Sequence, residues 1–438
     1  MVPSLIQLKK YAEVVFSRLG ANGNTEAIAR LQGKTLRAEG EETRSLLKQA
    51  KEKGVPIKVL EDRHLVLARG LDLQAHLRFP GQSDRETLEG GLLSALAGGY
   101  DSVIAMPNTK PFLDTPDRVK ACVEQIEAQD FKEVRVGQTG AATLNMQGLE
   151  ATDIAELKRA GAVAITDDGW GIDSNEIQEK VFRLCANEDL LFMQHAERPG
   201  HKGVTPEGPF QQRHQLPAYP DDAEAWMVNR DIELLRQIPE ARYHVLHVST
   251  AKTVELIRQA KQEGLRVTAE VSPHHLFFCN EDIPDPSNPH STCFKMNPPL
   301  FRAADREAVR AALQEGVIDC VATDHAPHSP KDKARSWVEA PFGTRGLETA
   351  LSVLCTLCKE GVLSYDRLET YFSTRPREIL AHPNFSRADG FVIVDKSEEF
   401  LVTEGDLPGI SRNSIFLNQK LYGKIVGLVG SQGSYFQD

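Results

Sequence analysis

The sequence predicts an α/β protein built on a (β/α)8 barrel, with a small accessory β region formed by the chain ends. Two observations carry this reading. Eight short runs rich in Val, Ile and Leu recur through the middle of the chain, each ending in a polar residue: HLVLARGLDL, YDSVIAMP, EVRVGQTG, AVAITDD, LLFMQHAE, YHVLHVS, LRVTAEVS and VIDCVATD. Helical patterns separate them, among them RETLEGGLLSALAGG, NEIQEKVFRLCANED, TAKTVELIRQAKQEG and DREAVRAALQEG. Strands covered on both faces read as nearly continuous apolar runs, which is the mark of parallel β/α architecture. Eight such units over about 300 residues suit a closed barrel. An open doubly wound sheet is the structural alternative, but no GxGxxG follows the first run to support a dinucleotide-binding version.

The division expected along the chain is a helical N-terminal extension and accessory segment over 1–60, the barrel over 61–384, and a small C-terminal β appendage over 385–438. The last rests on the short alternating runs GFVIVD, EEFLVTEG and GKIVGLVGSQG with their glycine turns.

Bulk properties narrow the function. A net charge of -11 argues against general nucleic-acid binding, which wants a basic face. No apolar run approaches the ~18 residues that span a bilayer, and MVPSLIQLKKYAEVVFSRLG lacks the uninterrupted apolar core of a secretory leader. Seven cysteines without regular spacing suit a reduced, cytoplasmic protein. Cys355 and Cys358 form a CxxC, but GLETALSVLCTLCKEG reads as an amphipathic helix, so packing is expected there.

In a barrel the active site lies at the C-terminal ends of the strands. The runs end, in order, at Asp72, Gln74, His76 and Arg78; at Asn108; at Asp167 and Asp168; at His195 and Glu197; at His247; and at Asp324 and His325. Imidazoles and carboxylates from five strands thus gather on one rim. These are preferred Zn²⁺ ligands. A bound Zn²⁺ brings the pKa of its water to about 7 and polarises a carbonyl, and a nearby carboxylate can pass the proton to a leaving nitrogen. A single strand histidine is more often a core residue than a ligand; several at consecutive strand ends reverse that balance. His244, three residues before His247, should face the other side of its strand and is expected to be structural. His274 and His275 read as packing more than as second-layer support. One of Asp167 and Asp168 should face the rim while the other fixes the turn. His64, His201, His214, His290 and His382 carry no placement signal.

The segments AHLRFPGQSDRETLEGG, SVIAMPNTKP, AVAITDDG, HVLHVSTAKTVELI, KMNPPL, IDCVATDHAPH and APFGTRGLETA closely resemble the dihydroorotases, within the cyclic amidohydrolases. The match covers roughly residues 70–380, and MPNT, TDDG and TDHAPH in this order are its specific part. The resemblance implies a role for each matching position. His76 corresponds to the second histidine of the family's HxH and to a ligand of the first metal. Asp168 corresponds to the carboxylate bridging two metals, chosen over Asp167 for its distance along the chain to His195. His195 and His247 correspond to ligands of the second metal, and Asp324 to a first-metal ligand and proton shuttle. Arg78 and Asn108 correspond to grips on the substrate carboxylate, with Asn297, His328, Phe342 and Gly343 completing the pocket. The implied reaction is reversible cyclisation of N-carbamoyl-L-aspartate to L-dihydroorotate in pyrimidine biosynthesis, through zinc-activated hydroxide.

The chain departs from the family at Gln74, where the first histidine of HxH would stand. A neutral amide is a poorer zinc ligand than imidazole, so one firmly bound Zn²⁺ and a weak or empty second position are expected. ARGLDLQ lacks the usual Pro-Gly ahead of the first barrel strand. Phe301 stands where the family usually has arginine, with Arg302 one place later. The N-terminus reads as helical where the family has strands. Two other readings follow: a non-catalytic homologue supporting an aspartate carbamoyltransferase, motivated by Gln74, and a hydantoinase- or allantoinase-like enzyme, opposed by Arg78, Asn108 and Asp168. The resemblance also implies a homodimer.

Overall fold

The computed structural model describes residues 8–11, 14–19, 25–31, 34–201 and 203–437. Eight parallel strands follow one another around the central sheet in chain order: β1 (Gly70–Ala75), β2 (Tyr100–Ala105), β3 (Arg135–Gly140), β4 (Ala162–Thr166), β5 (Leu191–Gln194), β6 (Arg242–Val245), β7 (Val267–Val271) and β8 (Cys320–Val321). A parallel bridge between Ala75 and His325 brings the two edges together, with the His76 amide donating to the His325 carbonyl at 2.8 Å. The barrel expected from the eight runs is therefore present.

Alternation along the strands explains its two cores. Leu71, Leu73, Ile104, Val163, Leu191, Met193, Leu246 and Ala322 fill the interior, where Ile379, Leu380 and Phe385 join them. Val103, Ile165, Phe192, Tyr243 and Val245 pack outward in the larger cluster shared with the surrounding helices. These helices have local stop and start signals. Ser174 caps the helix Asn175–Asn187 by accepting from the Ile177 amide, and Thr250 caps Ala251–Gln262 through Thr253.

The first apolar run divides, which its sequence did not disclose. His64–Ala68 pairs with Phe391–Leu401 in an antiparallel accessory sheet, and only Gly70 onward enters the barrel. Gly70 sits at the transition because a Cβ there would lie 2.6 Å from the Phe372 ring and 2.7 Å from Tyr100. The accessory sheet continues through Lys420–Gly430 and Gly433–Gln437 to Leu8–Tyr11, so the two chain ends pair directly.

The helical reading of residues 1–60 is corrected. The described part forms strands at Leu8–Tyr11, Val14–Leu19, Thr25–Leu31, Lys34–Glu39 and Ile57–Val59, and only Glu41–Glu52 is helical; the remainder of 1–40 lies outside the described residues. The reason is two-sided burial. Val14 and Phe16 pack with Leu60, Ile393, Val426 and Val429, while Val15 between them packs with Ala27, Ala29, Leu46 and Val55. Successive strand side chains point to opposite faces, so two different apolar layers select a strand from a segment whose charges also fit a helix.

Cys355 and Cys358 lie buried on the helix Ala350–Lys359 as free thiols, as packing residues would. Among the described residues no helix is long and apolar enough to cross a membrane.

Candidate metal centre and substrate cavity

Every candidate site residue reaches one cavity of about 180 Å³ at the C-terminal mouth of the barrel: His76, Arg78, Asn108, Asp168, His195, His247, Asn297, Asp324, His328, Phe342 and Gly343 line it, with Gly169 and Ala326. Arg78, His247 and Asp324 have positive φ, 59°, 32° and 47°. Non-glycine residues avoid this region, and such strain collects at functional sites. Beyond each strand the backbone turns sharply to present its side chain.

Asp168, His195 and His247 form a buried group whose ligand atoms all lie within 4.8 Å of one another. The His195 ring is oriented from behind. Its Nε2 lies 3.0 Å from Glu197 Oε2, and Asn297 Nδ2 donates to the same oxygen at 2.7 Å. In the tautomer that a metal would select, Nε2–H points to Glu197 and Nδ1, 2.9 Å from His247 Nε2 and 3.6 Å from Asp168 Oδ1, is the nitrogen left for the ion. A carboxylate behind an imidazole is a recurrent way to fix a metal-binding tautomer. Burial opposes charging of His195, yet its hydrogen bonds with Asp168 and Glu197 raise it to about 10. Burial, with repulsion from His195 and His275, pushes His247 well below the usual range.

His76 joins the second half of the site. Asn108 Nδ2 donates to the Asp168 carbonyl at 3.1 Å, which leaves Asn108 Oδ1 to accept from His76 Nδ1 at 3.0 Å. His76 Nε2 therefore faces Asp324 Oδ1 at 3.0 Å and Asp168 Oδ2 at 3.2 Å. Lone pairs and carboxylate oxygens converge in both halves, an arrangement that a cation relieves, so the donor set fits a divalent metal. Burial tends to raise Asp168, but its hydrogen bond with His195 and the nearby histidines hold it below the ordinary carboxylate range. Burial, with repulsion from Asp168, raises Asp324.

Gln74 occupies the third corner. Fully buried, its Nε2 donates to Asp168 Oδ1 at 3.0 Å while its Oε1 has no hydrogen-bond partner among the described residues. A proton-bearing nitrogen thus points where an imidazole would offer a lone pair. A register shift between Asp72 and Ala75 accompanies this end of β1, and such irregularities re-aim side chains.

Asp167 turns away. It accepts from the amides of Ala142 and Thr143 at 2.8 and 3.1 Å and from the Thr143 hydroxyl, fixing the turn. His325 is structural, receiving the Gly346 and Leu347 amides on Nδ1 at 3.2 and 3.3 Å. His275 Nε2 donates to the Pro298 carbonyl at 3.0 Å beneath the Asn297 loop. His244 lies fully buried within β6 between Thr268 and Glu270, whereas His247 follows the end of that strand. Phe301 packs against Tyr219 and Arg302 pairs with Asp221 at 2.6 Å, so neither enters the cavity lining.

Arg78 is buried. Its Nε donates to the Pro327 carbonyl at 2.9 Å, and its Nη2 lies 3.1 Å from His328 Nε2. Among the described residues no carboxylate forms a salt bridge with it, and burial lowers its pKa to about 9. Sequence reasoning did not assign roles to Glu197 or to His201, whose Nε2 lies 2.8 Å from Glu197 Oε1. Glu197 stands two residues after His195 at a strand end, and that placement was the signal available.

A sequence model of the Dihydro-orotase-like family matches residues 63–253. The chain is 38% identical over 366 residues to the dihydroorotase of Geobacillus sp. (strain WCH70), covering 82% of this chain and 84% of that one. It is 37% identical over 385 residues to the dihydroorotase of Bacillus cytotoxicus, covering 85% and 88%. Among solved structures, the L-hydantoinase (dihydropyrimidinase) from Arthrobacter aurescens superposes with a TM-score of 0.77 at 21% identity, over 96% of this chain and 95% of that one, which shows a shared fold. The eight-stranded barrel, the buried Asp–His group at its mouth and the extent of these matches lead to one conclusion: the chain belongs to the dihydroorotase family of metal-dependent cyclic amidohydrolases.

Proposed function

We propose that the protein interconverts N-carbamoyl-L-aspartate and L-dihydroorotate, with one Zn²⁺ held by Asp168, His195 and His247. The observation that carries this reading is a single cavity holding an Arg78 guanidinium, without a carboxylate partner among the described residues, together with Asp324 and the Asp–His group. A divalent ion there would lower the pKa of a water and polarise the ring carbonyl. Arg78 offers paired donors to the substrate carboxylate, a local positive field within a chain of net charge -11. Asn297, His328 and the backbone of Phe342 and Gly343 bound the remaining space. In the hydrolytic direction Asp324 takes the proton of the attacking water and delivers it to the departing ring nitrogen; in the cyclising direction it takes the proton from the attacking ureido nitrogen and returns it to the carboxyl oxygen that departs as water. Its raised pKa suits a group that must both accept and release a proton.

The second metal position, with His76, Asp324 and Asp168 as donors, is weak because Gln74 presents an N–H to Asp168. That contact also favours a second reading, a non-catalytic homologue that supports an aspartate carbamoyltransferase. The seven free cysteines suit work in the reducing cytoplasm.

The deciding experiment combines metal analysis of purified protein with a dihydroorotate hydrolysis assay, with and without added Zn²⁺. Turnover with about one equivalent of retained metal supports the single-metal enzyme. Absence of turnover, with stable binding to the carbamoyltransferase, would replace it with the supporting role. Turnover confined to hydantoins would move the substrate assignment.

A further inference from the structure

The strap Val338–Gly343, whose last two residues border the cavity, is held by two buried lysines from separate elements. Lys295, after the turn Ser291–Phe294, donates to the carbonyls of Val338 at 2.9 Å and Ala340 at 2.6 Å. Lys333, at the end of the short helix Pro330–Lys333, donates to those of Pro341 at 2.9 Å and Gly343 at 3.0 Å. The remaining inward carbonyl, that of Phe342, lies 2.7 Å from His328 Nε2. The Lys295 ammonium also stands 4.5 Å from the centre of the Phe342 ring, and the Lys295 carbonyl accepts from the Gly343 amide at 2.9 Å. The outer side of the strap is open, with Val338 51% exposed, while Lys295 and Lys333 are 2% and 5% exposed. Among the described residues neither lysine forms a salt bridge with a carboxylate. A buried ammonium with only carbonyl partners is costly unless they are fixed around it.

We propose that Lys295 and Lys333 are positioning residues, whose ammonium groups clamp the Val338–Gly343 strap so that Phe342 and Gly343 face the substrate. The consequence for turnover rests on the substrate cavity assigned above; the clamp itself does not. Burial lowers Lys333 to about 7 and Lys295 to about 8. The groups around Lys333 are Lys295, Cys293 and His290 from the Ser291–Phe294 turn and its flanks, and His328 from beyond β8. A neutral amine holds carbonyls less strongly than an ammonium, so the strap loosens as pH rises through these values.

The test uses the metal-loaded full chain and its Lys333→Met and Lys295→Met variants. Hydrogen exchange of the peptide spanning 338–343 is followed without substrate, and KM and kcat for dihydroorotate are measured beside it. Each variant is expected to exchange the strap about tenfold faster, with KM raised about tenfold, kcat within about threefold and metal content unchanged. If a variant fails to fold, the wild-type strap is compared below and above the Lys333 value of about 7; its exchange should rise more than base catalysis alone requires. Strap exchange equal to wild type in both variants, or a wild-type profile following base catalysis alone, overturns the clamp. Faster exchange with unchanged KM overturns the positioning role. Absence of turnover in the wild type would defeat the functional assignment instead, leaving the exchange measurement to decide the clamp.

Discussion

Gln74 Nε2 donates a hydrogen bond to Asp168 Oδ1 at 3.0 Å in a fully buried setting. A side chain that gives a proton to a carboxylate competes with any cation for the same lone pair. Gln74→His should replace this contact with a nitrogen lone pair and complete a second position with His76 and Asp324. Metal retained after dialysis is expected to rise from about one to about two equivalents per chain. A stoichiometry that stays at one would show that Gln74 does not limit metal binding.

Asp324 is opposite His76 at 3.0 Å and is raised by burial and by Asp168. Asp324→Asn preserves volume but removes the proton acceptor. A fall in kcat of about 10²- to 10⁴-fold is expected, with the metal at Asp168, His195 and His247 retained. Steady-state kinetics and metal content should be read on the same preparation. Near wild-type kcat would assign the proton transfer elsewhere.

Glu197 orients His195 from 3.0 Å and is itself held by Asn297. Glu197→Gln should weaken metal affinity by about 10- to 100-fold, the usual cost of losing such support. Competition with a chelator measures it. Unchanged affinity would make Glu197 a bystander.

Arg345 and Glu86 form a fully buried ion pair at 3.3 Å, with Glu348 on the same guanidinium. Arg345→Met strands both carboxylates. A loss of about 3–5 kcal/mol in urea unfolding is expected, as for other broken buried pairs. A loss within the range of an exposed pair, below about 1 kcal/mol, would contradict this.

Lys333 provides a pH test of stability with a definite sign. Folding lowers its pKa from 10.5 to about 7, so between those values the unfolded chain binds the extra proton. Stability therefore gains a rising slope across that window and none outside it. The wild-type minus Lys333→Met difference in unfolding free energy should show this rise. A flat or falling difference would show that folding does not lower the Lys333 pKa.

Much of this molecule was legible in the chain because its signals are local. The eight apolar runs specified parallel strands, and a polar residue closing each run had to emerge at one rim once the barrel shut. That is why His76, Asn108, Asp168, His195, His247 and Asp324 could be named together and do meet around one cavity. Other features depended on partners distant in sequence. Val14, Val15 and Phe16 form a strand because two apolar layers, one from the C-terminal strands, cover its faces. His64–Ala68 leaves the barrel because Phe391–Leu401 lies beside it. Glu197 gained its place from Asn297, 100 residues away. The sequence alone could determine which chemistry the rim offers, since residue type and strand end are written in order along the chain. Only the tertiary structure decided hydrogen-bond direction: how Asp167 is tied to the Thr143 turn, which imidazole nitrogen faces the site, and that Gln74 gives Asp168 a proton. Those outcomes are set by angles and distances between strands, and linear order does not encode them.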